Sequence, residues 1–132
     1  MRKGFDYIGI GVVAICHDGN GKYLFEFRSD KCRDEHFTWS NAGSGGLEFG
    51  ETLEEALKRE VTEECGTQPL HAEYLGFREV FRETQGNKYH YISFDYKVQL
   101  DPSKVRNTEP EKSLKLEWFT LDEIPAPMHS QL

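Results

Sequence analysis

An α/β domain built on a mixed β-sheet is what this chain predicts, on three observations. Apolar β-prone runs stand before and after one amphipathic helix, turn signals pair those runs into hairpins, and a glycine loop opens directly into the helix. Ile8 to Cys16 is the first apolar run, and Asp18-Gly-Asn-Gly turns it back into Tyr23 to Phe27. Ser29 to His36 reads as a polar loop and Phe37 to Trp39 as a short extended piece. Gly43, Gly45, Gly46 and Gly50 then form a loop whose backbone can reach conformations closed to other residues and can approach a ligand closely. Thr52 with Glu55 is a capping box, Leu53, Ala56, Leu57 and Val61 recur at helical spacing, and Gly66 is the expected stop. Leu70 to Phe81 and Lys88 to Leu100 are two long strands around Thr84-Gln-Gly-Asn, predicting a second hairpin. Asp101 to Lys112 is a polar loop, Leu114 to Phe119 alternates as a strand, and Thr120-Leu-Asp-Glu starts a short capped helix before Pro125 and Pro127. No repeat, linker or low-complexity stretch interrupts residues 1–132, so a single domain is expected.

Composition narrows the function classes. A chain of 132 residues can bury roughly two thirds of its unfolded surface, enough for a core without staples. The three cysteines cannot all pair, and Met1-Arg-Lys-Gly-Phe-Asp has no apolar signal core. No apolar stretch approaches the ~20 residues of a membrane span, so the cytoplasm is the expected location, with no membrane partner. A net charge of -7 argues against a DNA or RNA polymer, whose binding rests on basic residues that neutralise backbone phosphates. A small phosphorylated molecule is still allowed, because a metal ion can carry its charge into an acidic site.

The chemistry concentrates in the helix. Seven glutamates lie in the seventeen residues from Glu48 to Glu64. Three- and four-residue spacings place Glu60, Glu63 and Glu64 on one helical face, where like charges destabilise a bare helix. Hard divalent cations take carboxylate oxygens and keep waters for substrate phosphates, which turns that repulsion into binding and favours Mg2+ or Mn2+. Zinc is not expected, because Cys16, Cys32 and Cys65 form no CxxC and the five histidines are scattered.

The frame Gly45-x5-Glu51-x7-Arg59-Glu60-Val61-x-Glu63-Glu64-x-Gly66, within Gly45 to Thr67, resembles the signature of the Nudix hydrolases, which cleave nucleoside diphosphates linked to another moiety. Eight fixed positions match in register over 23 residues. The runs Gly9-Ile-Gly-Val-Val-Ala, Leu24 to Arg28, Tyr89-His-Tyr-Ile-Ser, Glu109-Pro-Glu-Lys and Trp118 to Pro125 are similar to the small nucleoside triphosphate diphosphatases of that superfamily. The resemblance implies an α/β/α sandwich, a nucleotide as small-molecule substrate, and a homodimer. It also implies a metal site in which the carbonyl of Gly45 joins the helix carboxylates, with Arg28 and Ser93 near the nucleotide. Two departures stand out: Thr67 replaces a usual hydrophobic residue, and Gly43-Ser44-Gly45 replaces a Pro-Gly-Gly run, which predicts a looser loop. The family's C-terminal helix helps wall the base pocket, whereas Met128 to Leu132 alone follow Pro127, so shallow base selectivity is expected.

In this reading Glu60 and Glu64 are the first metal ligands, and Glu63 is a further ligand or the base that orients water. Glu51 and Arg59 form an architectural pair at the helix entrance. Glu48 is a possible outer ligand, and Glu109 or Glu111 a distant carboxylate of the metal site. Phe27, Trp39, Phe81, Tyr89 and Tyr91 are available to stack on a base, although aromatics on strands are more often core. The reaction expected is Mg2+-dependent hydrolysis of a nucleoside triphosphate to monophosphate and pyrophosphate. The alternatives are ADP-ribose or nucleotide-sugar hydrolysis, or a module that senses a nucleotide without cleaving it.

Overall fold

The computed structural model describes residues 2–32, 37–123 and 126, and it has the expected α/β class with a mixed sheet. Its elements are β1 (Gly9–His17), β2 (Lys22–Arg28), β3 (Trp39–Asn41), β4 (Gly45–Gly46), α1 (Leu53–Cys65), β5 (His71–Thr84), β6 (Asn87–Gln99) and β7 (Ser113–Thr120), followed by a 3-10 turn at Leu121–Glu123. The sheet runs β3-β2-β1-β6-β5, with β4 paired to β1 and β7 to β2. One ladder makes it mixed: β1 lies parallel to β6 from Gly9↔Tyr91 to His17↔Gln99, while its other partners are antiparallel.

Alternation along β1 decides what is buried. Val12, Ala14 and Cys16 point to one face, where they meet Leu24, Tyr96, Val98 and Leu100. The apolar stripe of α1, comprising Ala56, Leu57, Val61 and Cys65, closes over them. The other face of β2 carries an aromatic cluster, in which Trp39 lies 5.1 Å from Phe27 and 5.2 Å edge-on from Phe119. Trp39 is therefore core, and so is Tyr89. Phe81 is exposed and stacks on His90 at 4.2 Å.

Several boundaries move. The second hairpin tightens to a two-residue turn, Gln85-Gly86, both at positive φ (51° and 78°), the geometry that matches the twist of paired strands. The short extended piece begins at Trp39 rather than Phe37, whose φ of 57° takes it off the strand. The capped helix after Thr120 is a single 3-10 turn. Residues 127–132, on which the expectation of an incomplete base pocket rests, lie outside the described residues, as do 33–36 of the polar loop.

Candidate active site

Local rules orient the acidic helix. The Thr52 hydroxyl accepts from the Glu55 N–H at 3.1 Å while the Glu55 carboxylate accepts from the Thr52 N–H at 2.9 Å, so two orphan donors are satisfied reciprocally. At the other end Gly66 adopts φ 72°, and its N–H reaches the Thr62 carbonyl at 3.0 Å. With the apolar stripe held against β1, Glu60 and Glu64 turn half inward and Glu63 faces solvent: the Glu60 side chain is 14% exposed and that of Glu63 55%.

The glycine loop fits under this face. Gly45 and Gly46 pair with Val12 and Gly11, and Gly45 lies so near the helix that a Cβ there would fall 2.2 Å from the Glu60 carboxyl carbon. Any side chain at position 45 would displace Glu60. The looser loop expected from Ser44 is not found, because its hydroxyl accepts the Ala14 N–H at 3.2 Å and β4 adds ladder bonds to β1. Ser44 anchors the loop.

Arg59 organises the entrance to the site. Its Nε and Nη2 donate to the two oxygens of Glu51 at 2.8 and 2.9 Å, the bidentate geometry in which such pairs are strongest. Nη1 donates to Glu60 at 2.7 Å and Nη2 to the Gly46 carbonyl at 3.0 Å, while Glu63 and Glu48 lie at 3.6 and 3.8 Å. The Arg59 hydrogen bonds, aided by the Glu48 N–H, hold the Glu51 carboxyl down at about 2. The same contacts push Arg59 up.

The far end of the helix face is opposite in character. Glu64 Oε2 is shielded from solvent and has no hydrogen-bond partner. Burial, followed by the charges of Glu26 and Glu60, raises Glu64 well above the carboxylate range. Burial also lifts Glu26 to about 7, against the pull of Arg28 and of the Ser40 hydroxyl. Glu60, midway, is raised by burial and held back by Arg59. Glu26, Glu64 and Glu109 line one cavity of about 530 Å³ together with Arg28, Lys31 and Lys112. Anionic and cationic side chains thus share a single space.

A neighbouring cleft of about 330 Å³ is lined by Arg28, Gly45, Gly46, Ser93, Tyr89 and Tyr91 among others. It brings Arg28 and Ser93, which the resemblance puts near the nucleotide, together with Gly45, whose carbonyl it assigns to the metal site. Arg28 and Ser44 line both spaces, so the cleft opens beside the acidic cavity. Ser93 is buried and donates to Asp95 at 3.1 Å, and Asp95 also receives Arg78 at 2.8 Å.

Of the two loop carboxylates, Glu109 reaches the cavity; Glu111 is not among its lining residues. Glu48 stays at the rim, 66% exposed. Among the described residues no three His, Cys, Asp or Glu groups converge in metal-ligating geometry. The carboxylates repel one another, and Arg59 draws Glu60 aside. The donor set suits a cation: it is all oxygen, Glu64 keeps a buried unpartnered atom, and the bare backbone at Gly45 lies against Glu60. The sequence reading missed Glu26. Its signal was present, since Glu26 shares strand parity with Leu24, a fully buried core residue, and a charge on a core face asks for a partner.

A three-layer order of glycine loop, acidic capped helix and mixed sheet defines a Nudix-type protein. A family model for the NUDIX domain matches residues 8–132, and the chain belongs to that family as a Nudix hydrolase. It is similar to the crystal structure of a MutT NUDIX hydrolase from Burkholderia pseudomallei, with 26% identity over 95% of this chain and 92% of that one and a TM-score of 0.82. A MutT protein from Methanosarcina mazei Go1 is 25% identical over 88% of this chain and 79% of its own, with a TM-score of 0.63. The NUDIX domain of Shewanella oneidensis NrtR, solved with ADP ribose, shares the fold at 18% identity over 90% and 77% of the two chains, TM-score 0.70. No helix among the described residues is long and apolar enough to cross a membrane.

Proposed function

We propose that this Nudix hydrolase is a Mg2+-dependent pyrophosphohydrolase that cleaves nucleoside triphosphates to monophosphate and pyrophosphate, with Mn2+ able to replace Mg2+. One observation carries the reading: the buried, unpartnered Glu64 Oε2 faces a cavity that also presents Arg28, Lys31 and Lys112. A purely structural carboxylate would have a donor. A cavity for phosphate alone would have no use for three glutamates.

Glu60 and Glu64, with the Gly45 carbonyl, would hold the cation. When bound, it stabilises charge on the non-bridging and leaving phosphate oxygens and lowers the pKa of an attacking water. The chain's own residues do the rest. Arg59 holds Glu51 and the Gly46 carbonyl, fixing loop to helix at hydrogen-bond distances of 2.8 to 3.0 Å. Glu63, solvent-facing and 3.6 Å from Arg59, would accept a proton from water or serve as a further ligand. A positioned base of this kind is worth typically ~10^2 to 10^4 in rate. Arg28 meets phosphate oxygens where the two spaces join, and Ser93 lines the cleft for the rest of the nucleotide.

The test is a screen of ribo- and deoxynucleoside triphosphates, ADP-ribose and nucleotide sugars with Mg2+, scored for pyrophosphate against phosphate. Pyrophosphate and monophosphate from triphosphates are expected. Turnover of ADP-ribose or a nucleotide sugar with triphosphates untouched would overturn the substrate class. Tight nucleotide binding without any turnover would make the chain a sensor.

A further inference from the structure

We propose that Glu26 is a metal ligand supplied by the sheet, binding the same cation as Glu64 from the opposite wall of the cavity. This rests on the hydrolase reading above and extends it to a residue outside the signature helix.

Three observations carry it. Glu26 sits in mid-strand on β2, flanked by Ser40 of β3 and Leu116 of β7, with its side chain on the face that buries Leu24. A carboxylate among apolar neighbours on a core face needs a partner. Its hydrogen bonds come from hydroxyls alone, that of Ser40 at a long 3.4 Å and that of Ser113, and neither supplies a positive charge. Secondly, the pairing of β2 with β7 slips one residue past Phe27, pairing Arg28 with Ser113. Irregularities of this kind re-aim side chains next to functional sites. Arg28 and Ser113, the pair formed at the slip, line the cavity together with Glu26, Glu64, Glu109 and Lys112.

Thirdly, Glu64, which lines the same cavity as Glu26, keeps Oε2 shielded from solvent with no hydrogen-bond partner. Two carboxylates that line one cavity, one of them with an open lone pair shielded from water, form an all-oxygen donor set of the kind a divalent cation takes.

The experiment measures Mn2+ binding directly, by the free-ion EPR signal, on the full chain without nucleotide. Wild type, Glu26→Gln, Glu26→Asp, Glu64→Gln and the remote control Glu73→Gln are compared. Glu26→Gln should weaken Mn2+ affinity about 10- to 100-fold, the range seen when residues around a metal are removed. Glu26→Asp retains the charge and shortens its reach, so a ligand loses affinity there too, whereas a distant field effect would leave it unchanged. Should the glutamine variant fail to give a cooperative melt, the aspartate variant decides. If wild type binds no Mn2+, or Glu64→Gln binds as wild type does, the hydrolase reading fails. If Glu64→Gln loses binding while both Glu26 variants match wild type and Glu73→Gln, this inference alone is overturned.

Discussion

The two ends of the acidic face carry carboxylates at similar density and treat them in opposite ways. At the loop end Arg59 reaches Glu51, Glu60, Glu48 and Glu63, and Glu51 is held down at about 2. At the sheet end Glu64 faces Glu26 and Glu109, and burial pushes Glu64 and Glu26 up. One end supplies its own cation and is complete. The other gathers carboxylates out of water beside Arg28, Lys31 and Lys112, yet leaves Glu64 Oε2 without a partner. Charge density alone therefore does not distinguish the two ends; what distinguishes them is whether a guanidinium is hydrogen-bonded to the carboxylates.

The sharpest way to break this contrast is to neutralise its unpaired end. Glu64→Gln should lower kcat by at least ~10^2 while the fold survives, and the metal-free protein should melt no lower than wild type because a buried charge has been removed. Near-wild-type turnover, or a collapsed fold, would place Glu64 with the architectural group instead.

Adding the missing cation should move stability nearly as much. Mg2+ at about a hundred times its Kd should stabilise the native state by ~2.7 kcal/mol. In a domain this size that is roughly 10 °C in Tm, at about 4 °C per kcal/mol. A melting curve unchanged by Mg2+ relative to Na+ at matched ionic strength would mean that the sheet end is only a solvated pocket.

The paired end should respond to loss of its hub. Arg59→Met strands Glu51 and the Gly46 carbonyl and should cost ~1 to 3 kcal/mol, with or without Mg2+. An unchanged Tm would show that the loop is held by Ser44 and β4 alone.

The smallest effect is in pH, and the two ends have opposite signs. Glu64 and Glu26 bind their protons more tightly in the native state than when unfolded, so without metal the stability they allow rises as pH falls from above 7 toward 4.5. Glu51 binds its proton less tightly when folded; its contribution is present above 4.5 and is lost as pH falls toward about 2. Metal-free Tm should therefore increase from pH 8 to pH 5.5, and the increase should shrink in Glu26→Gln. A slope identical in both proteins would detach Glu26 from the effect.

Much of this was legible locally. The capping box at Thr52 and Glu55, the stripe from Leu53 to Val61 and the left-handed stop at Gly66 are written in spacings of three and four, and the helix has all of them. The clustering of Arg28, Gly45 and Ser93 in one cleft followed from resemblance rather than from spacing, since the three lie on separate strands. What spacing could not convey was the far wall. Whether Glu26 faces α1 or the aromatic cluster depends on how β2 docks, and the choice of Glu109 over Glu111 depends on how the loop returns to β7. Ser44 was misread for a related reason, because its hydroxyl's partner is the Ala14 amide, thirty residues earlier.

The parallel ladder between β1 and β6 has a kinetic side. Gly9 must find Tyr91 and His17 must find Gln99, pairings that span most of the chain, whereas the hairpin of β5 and β6 closes through two residues. Long-range pairing is slow because chain entropy is lost before contacts compensate for it. On the ribosome, β1 emerges early and waits for a partner made much later. The floor beneath α1 includes Tyr96 and Val98 of β6, so the apolar stripe of the helix has its full packing surface only when that late strand arrives. The acidic pocket takes Glu109, Lys112 and Ser113 from still later in the chain, so an ion that binds the finished pocket favours the state in which these distant segments have met.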